Sequence, residues 1–115
     1  MVAKSKKYIP ERGDIIWLDF TPTKGREQNG VRPAFVVSPK IYNAKVGLAL
    51  VCPITSHKKG YPFEVACDFS KIDGVILADH IRSVDWKARH AKFVDASPVL
   101  IILEVEERLL SLIQA

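Results

Sequence analysis

The sequence contains no uncharged apolar run near the roughly 18 residues needed to cross a bilayer, so a membrane span is not expected. Its two cysteines, Cys52 and Cys67, form no CxxC pair and sit in apolar runs, which points to buried free thiols rather than a metal or redox site. The three histidines (His57, His80, His90) are scattered and lack zinc-ligand spacing. No GxSxG occurs, and no histidine has an evident nucleophile partner in sequence, so a serine hydrolase has little to stand on. Nothing marks a glycosidase-type carboxylate pair. Repeats and low-complexity linkers are absent. The basic start, Met1-Val2-Ala3-Lys4-Ser5-Lys6-Lys7, is followed by no apolar segment, so it does not read as a signal peptide. A soluble cytosolic protein with no metal is the expectation.

What is present fits one domain over residues 1–115: 115 residues, 48% of them hydrophobic. The net charge of +4 hints at an anionic partner, but Lys4, Lys6 and Lys7 lie in an expected flexible tail over 1–8, and without them the body is nearly neutral. Any nucleic-acid site must therefore come from local clusters, of which Lys24, Arg26 and Arg32 form one and Lys58 with Lys59 another.

Residues 14–20 (DIIWLDF) read as a strand and residues 21–32 as a loop. A second strand is expected over 34–38, and Ser38-Pro39 reads as a cap and first helical position for one short turn reaching about Asn43. A buried strand is expected over 46–54, with Pro53 at a bulge or strand end. The turn His57–Gly60 leads into a strand over 61–67. Asp73-Gly74 is a turn signal before one or two strands in 75–84. Asp85 caps a turn over 86–89, and 92–94 is a weak strand. Ser97-Pro98 repeats the cap-plus-proline start for a helix from Pro98 to Ile113, with Glu104, Glu107, Arg108 and Ser111 as its polar face. The remaining apolar surface exceeds what one chain needs to bury, which suggests a subunit interface. Short strands plus one terminal helix give a small, mainly β barrel.

The stretch Gly25–Pro33 places two glycines, a carboxylate, two amides and two arginines between apolar strands, and loops held by a rigid scaffold are where chemistry concentrates. Pro33 forces Arg32 toward extended geometry. Cleaving an RNA phosphodiester requires a base for the 2′-hydroxyl, a donor for the leaving oxygen and a cation for the crowded transition state. Arg32 suits the third task, being permanently charged with a fork that matches phosphate oxygens. Thr55 and Ser56 offer hydroxyls for a phosphate oxygen, and Glu27 offers a base or a partner for a base's exocyclic amine. Gln28 and Asn29 can read base edges, Lys24, Lys58 and Lys59 can meet phosphates, and Phe20 and Tyr61 can stack on unpaired bases. Each type also has a plain structural use: ion pair, turn cap, solvated charge or core aromatic.

The runs ERGDIIWLDF (11–20), PTKGREQNGVRP (22–33), VVSPKIYN (36–43), CPITS (52–56), KGYPFEV (59–65) and DGVILADHIRSVDWKAR (73–89), followed by the C-terminal helix, resemble the MazF/PemK family of toxin endoribonucleases, on its MazF branch. The resemblance covers nearly all of residues 8–113, and G-x-E-Q-x-G-x-R-P is its most specific part. It implies an SH3-like β-barrel of the CcdB/PemK type with short helices, forming a homodimer. It also implies a type II toxin that cuts single-stranded mRNA at short sequences without metal or cofactor, leaving a 2′,3′-cyclic phosphate and a 5′-hydroxyl. Arg32 and Thr55 map to the catalytic centre. Glu27 and Gln28 map to the active-site loop, and Asp79 matches a motif aspartate expected at the RNA site. The implied partner is a MazE-like antitoxin with a disordered acidic tail.

Two positions depart from the family pattern. Leu77 stands where some PemK-type members carry a catalytic arginine, and His80 where glutamine is frequent. Arginine stays charged to a pKa above about 12. Arg32 therefore suits transition-state stabilisation or proton donation, leaving Glu27 or the substrate's own phosphate as base. Two other readings stay open on sequence: a CcdB-like non-enzymatic topoisomerase poison on a similar fold, and a nucleic-acid-binding module without activity.

Overall fold

The computed structural model describes residues 7–20 and 30–115. Strands β1 (Asp14–Asp19) and β2 (Val31–Val36) form an antiparallel pair. Helix α1 (Lys40–Val46) leads to β3 (Ala49–Thr55). Then come β4 (Glu64–Ala66), β5 (Val75–Leu77), β6 (Arg82–Val84), β7 (Lys92–Ala96) and α2 (Val99–Ile113). The strands run in the order β4-β5-β3-β2-β1-β7, with β6 also on β3, and every pairing is antiparallel. The mainly β architecture with a C-terminal helix is as expected from the sequence.

Alternation along the strands divides the core in two. Ile15, Phe35, Cys52, Ile54 and Ile76 pack with Val105 and Leu109 of α2. Ile16, Leu18, Ala34, Val36 and Val51 pack with Trp86 on the opposite face. Cys52 and Cys67 are free and buried, and burial pushes their thiols up to about 12 and about 11, so neither carries a ready thiolate.

Several boundaries differ from the sequence expectation, each for a local reason. β2 begins at Val31, so Arg32 and Pro33 are strand residues rather than the end of a loop. Pro33 faces Trp17, while the ladder to β3 starts only at Ala34. At Pro33, β2 thus has a ladder neighbour on one side alone, where a sheet tolerates a residue without an N–H. α1 runs to Val46, which therefore does not open β3, and stops at Gly47 in the left-handed region (φ 84°), with the Gly47 amide donating to Asn43 O. Pro53 lies inside β3, opposite Ala34. There β3 changes its other neighbour, from β6 at Ala49–Val51 to β5 at Ile54–Thr55.

Prolines 39 and 98 themselves occupy the helix cap positions, with extended backbone. The preceding serines do other work. The Ser38 hydroxyl donates to Asn43 Oδ1 at 2.6 Å and accepts from the Leu50 amide at 2.9 Å. The Ser97 amide donates to Gly13 O at 2.9 Å. Gly13 lies under α2, where a Cβ would meet Ile102 Cδ1 at 2.4 Å. The fold takes hold at the end of the segment read as tail: Tyr8 packs against the second core cluster and donates its hydroxyl to Asp14, and Pro10 just beyond it is fully buried.

On α2, Glu104, Glu107 and Ser111 are exposed as expected, but Arg108 is half-buried. Only Val105 and Leu109 are fully covered, while Leu100 (72% exposed) and Ile113 (74%) are open to solvent. No helix among the described residues is long and apolar enough to cross a membrane.

Candidate active site

The register of β2 and β3 creates the site. Ala34, Phe35 and Val36 pair with Pro53, Cys52 and Val51. Carried two residues past the end of that ladder, the same register sets Arg32 opposite Thr55. Pairing with Leu18 puts Arg32 on the face of Ile16, Leu18 and Ala34, at the point where that face runs out of core and reaches solvent. A cation can stand there without burial, on a backbone locked into the sheet.

Three clefts meet at Thr55. One of about 480 Å³ is lined by Arg32, Thr55, Ser56, His57 and Asp73. A second of about 340 Å³ adds Phe20 and Arg82 to Arg32 and Thr55. The third, about 730 Å³, holds Thr55, Lys58, Lys59, Tyr61, Glu64 and His80. Thr55 Oγ1 accepts from the His57 amide at 3.1 Å, so the hydroxyl does cap a turn. That bond uses a lone pair and leaves the hydroxyl proton to donate. Behind Thr55 lies Gly74, where a Cβ would stand 2.4 Å from Thr55 O. The absence of a side chain at Gly74 is what lets β5 start against the end of β3.

Phe20 is half-buried, with the guanidinium carbons of Arg82 and Arg89 5.0 and 4.7 Å from its ring centroid. Its ring thus holds two cations beside Arg32's cleft. Lys58 and Lys59 are exposed on a turn that Glu64 holds closed, its carboxylate accepting from the Lys59 and Gly60 amides at 2.9 and 3.0 Å. Those bonds, the Lys59 amide first, keep the Glu64 carboxyl below its ordinary range. Tyr61 donates its hydroxyl to Asp79 Oδ2, and this bond is the main reason its phenol is raised. Asp79 Oδ1 is buried with no hydrogen-bond partner among the described residues and lies 3.8 Å from His80 Nε2.

The structure therefore brings Arg32, Thr55, Ser56 and Phe20 into one region, with Lys58, Lys59 and Tyr61 on the far side of Thr55. Asp79 joins through Tyr61 rather than by lining a cleft. Lys24, Glu27, Gln28 and Asn29 lie outside the described residues. Sequence reasoning missed Arg82, His57, Asp73 and Glu64. Arg82 had a visible charge but no signal of place, since only its pairing with Val51 carries it toward Arg32. Among the described residues no group of three or more His, Cys, Asp or Glu side chains could hold a metal ion.

Comparison with known proteins bears on this geometry. Residues 11–113 match the family described as PemK-like, MazF-like toxin of type II toxin-antitoxin system. The chain belongs to this family. The Escherichia coli (strain K12) endoribonuclease toxin MazF is 54% identical over 85 residues, covering 74% of this chain and 77% of that protein. Escherichia coli endoribonuclease PemK is 37% identical over 109 residues, 90% of this chain and 82% of its own. A crystal structure of MazE–MazF from Deinococcus radiodurans superposes with a TM-score of 0.88 at 47% identity, covering 94% of this chain and 98% of that one. The MazF-like fold thus holds over almost the whole chain.

Proposed function

We propose that this MazF-like toxin is an endoribonuclease that cuts single-stranded mRNA at the clefts around Thr55. The observation that carries the reading is that Arg32 and Thr55 line one cleft at the open end of the β2–β3 pair. In the proposed reaction a base removes the 2′-hydroxyl proton, the 2′-oxygen bonds to phosphorus and the bond to the 5′-oxygen breaks. A 2′,3′-cyclic phosphate and, once the leaving oxygen is protonated, a 5′-hydroxyl result. Arg32 stabilises the charge that builds on the phosphoryl oxygens and can supply the proton to the leaving oxygen. The Thr55 hydroxyl, oriented by the His57 amide, donates to a non-bridging oxygen. Glu27 or the substrate phosphate serves as base. Arg82 and the Lys58–Lys59 turn hold neighbouring phosphates, and Ser56 lies within reach of the same group.

Relatives at 37–54% identity that are named endoribonucleases favour this reading over a topoisomerase poison. The test is end mapping: purified protein with a long single-stranded RNA in excess EDTA is expected to yield 5′-hydroxyl and cyclic-phosphate ends. An RNA left intact under these conditions would sink the reading.

The same proposal extends to shape and partners. The strand path from β4 to β7 is read as an SH3-like barrel. The open apolar residues of α2, Leu100 and Ile113 among them, support a homodimer, and sedimentation as a monomer at micromolar concentration would remove it. The Deinococcus radiodurans relatives crystallised as MazE–MazF. By analogy a MazE-like antitoxin is the partner here, its acidic tail matched by the cations that line the clefts, Arg32, Arg82, Lys58 and Lys59.

A further inference from the structure

We infer that Arg108, on α2 and remote from the reacting phosphate, is a positioning residue for the Lys59–Tyr61 side of the cleft. The inference rests on the proposed RNA cleavage and adds a control element to that site. The turn at 59–63 has one backbone bond of its own, from the Glu64 amide to Tyr61 O at 3.1 Å, while Gly60 sits in the left-handed region (φ 76°) and Lys58 and Lys59 are exposed. Further bonds fix it. The Glu64 carboxylate takes the Lys59 and Gly60 amides. Phe63 O accepts from the Ala78 amide at 2.9 Å, and the Tyr61 hydroxyl reaches Asp79. Another tie comes from the helix: Arg108 Nε donates to Pro62 O at 2.9 Å, while its Nη1 donates to Glu104 O at 3.2 Å.

A guanidinium is suited to this double contact. Its fork is planar, so bonding Glu104 O with one arm aims the other at Pro62 with little freedom left. Donation from a charged group to a carbonyl is also stronger than a neutral bond. Pro62 itself has no N–H, so its carbonyl is the main-chain polar group by which it can be held. Its neighbour Tyr61 lines the 730 Å³ cleft with Lys59. Loss of the Arg108 tie leaves Arg32 and Thr55 in place but loosens the wall on which substrate lies.

This predicts a split in the kinetics. With a short RNA substrate under conditions where chemistry is slow, Arg108→Ala is expected to raise KM about tenfold, the low end for losing one charged hydrogen bond, with kcat within about twofold. Arg108→Gln keeps a donor without charge and is expected to recover most of the KM. A second readout needs no RNA. Trypsin is expected to cut Arg108→Ala several-fold faster at Lys58–Lys59 than wild type, fragments being assigned by mass. Unchanged KM together with unchanged cutting at Lys58–Lys59 would overturn the proposal. So would kcat falling in step with thermal stability, or a glutamine variant no better than alanine. Wild type failing to cleave RNA would overturn the functional reading alone, while faster trypsin cutting of the variant would still support the tie.

Discussion

Arg32→Ala is expected to lower kcat for RNA cleavage by about 10²- to 10³-fold, the scale of losing one principal donor to a developing anionic centre. KM should move less, because Arg82, Lys58 and Lys59 remain to hold the flanking phosphates. Stability should stay within about 0.5 kcal/mol, as for an exposed side chain removed from an intact strand. Arg32 is exposed, and its backbone stays paired with Leu18 whatever the side chain. Arg32→Lys should recover only part of the rate, since an ammonium keeps the charge but not the two parallel donors. The measurement is single-turnover cleavage of a defined RNA, with thermal melting of each variant beside it. Cleavage by Arg32→Ala at the wild-type rate would remove Arg32 from the centre, even with the RNase reading itself intact.

The largest effect on stability is expected at Asn43, far from the chemistry. Its side chain is fully buried and joins three parts of the chain. Nδ2 donates to Pro10 O at 2.9 Å and to Ser38 O at 3.0 Å. Oδ1 accepts from the Ser38 hydroxyl, which in turn accepts the Leu50 amide at the start of β3. Asn43→Ala leaves these groups buried without partners and opens a small void. The cost is expected to be about 3–4 kcal/mol, a fall in melting temperature of about 10–20 °C for a domain of this size. The Asn43 carbonyl would still accept from Trp86 Nε1, a bond the substitution does not touch. Below its lowered melting point the variant should cleave RNA at the wild-type rate, which separates this role from that of Arg32. A melting temperature within about 3 °C of wild type would mean that water or a shifted backbone satisfies those groups, and the network would lose the importance assigned to it.

These two residues show how unevenly the protein could be read from its chain. The β1 strand, the Asp85-capped turn and the long terminal helix were legible because each depends on neighbours within a few residues. A short run rich in Ile, Trp and Phe makes a strand, and the Asp85 carboxylate accepts from the Ala88 amide at 2.9 Å. Asn43 gave no such signal: it sat in a plain polar helical turn, and only the approach of Pro10, Ser38 and Trp86 turned it into a buried hub. At Ser38-Pro39 and Ser97-Pro98 each helix starts one residue later than its sequence suggests. The serine hydroxyl or amide found a stronger claim in a distant segment than in the helix end.

By itself the sequence determined the residue types on which the proposed chemistry depends and the order of the elements that carry them. Arg32 before proline, hydroxyls at the end of a strand and a permissive Gly60 turn were all visible, because charge, hydroxyl chemistry and backbone freedom belong to single residues. Only the tertiary structure decided their company. That Arg32 shares a cleft with Thr55, that Arg82 joins them, that Tyr61 is committed to Asp79 and that Arg108 reaches Pro62 all depend on strand register and helix docking. Those are settled by burying two apolar faces across separations from 18 residues (Tyr61 to Asp79) to 46 (Arg108 to Pro62) and more, and no local pattern records the outcome.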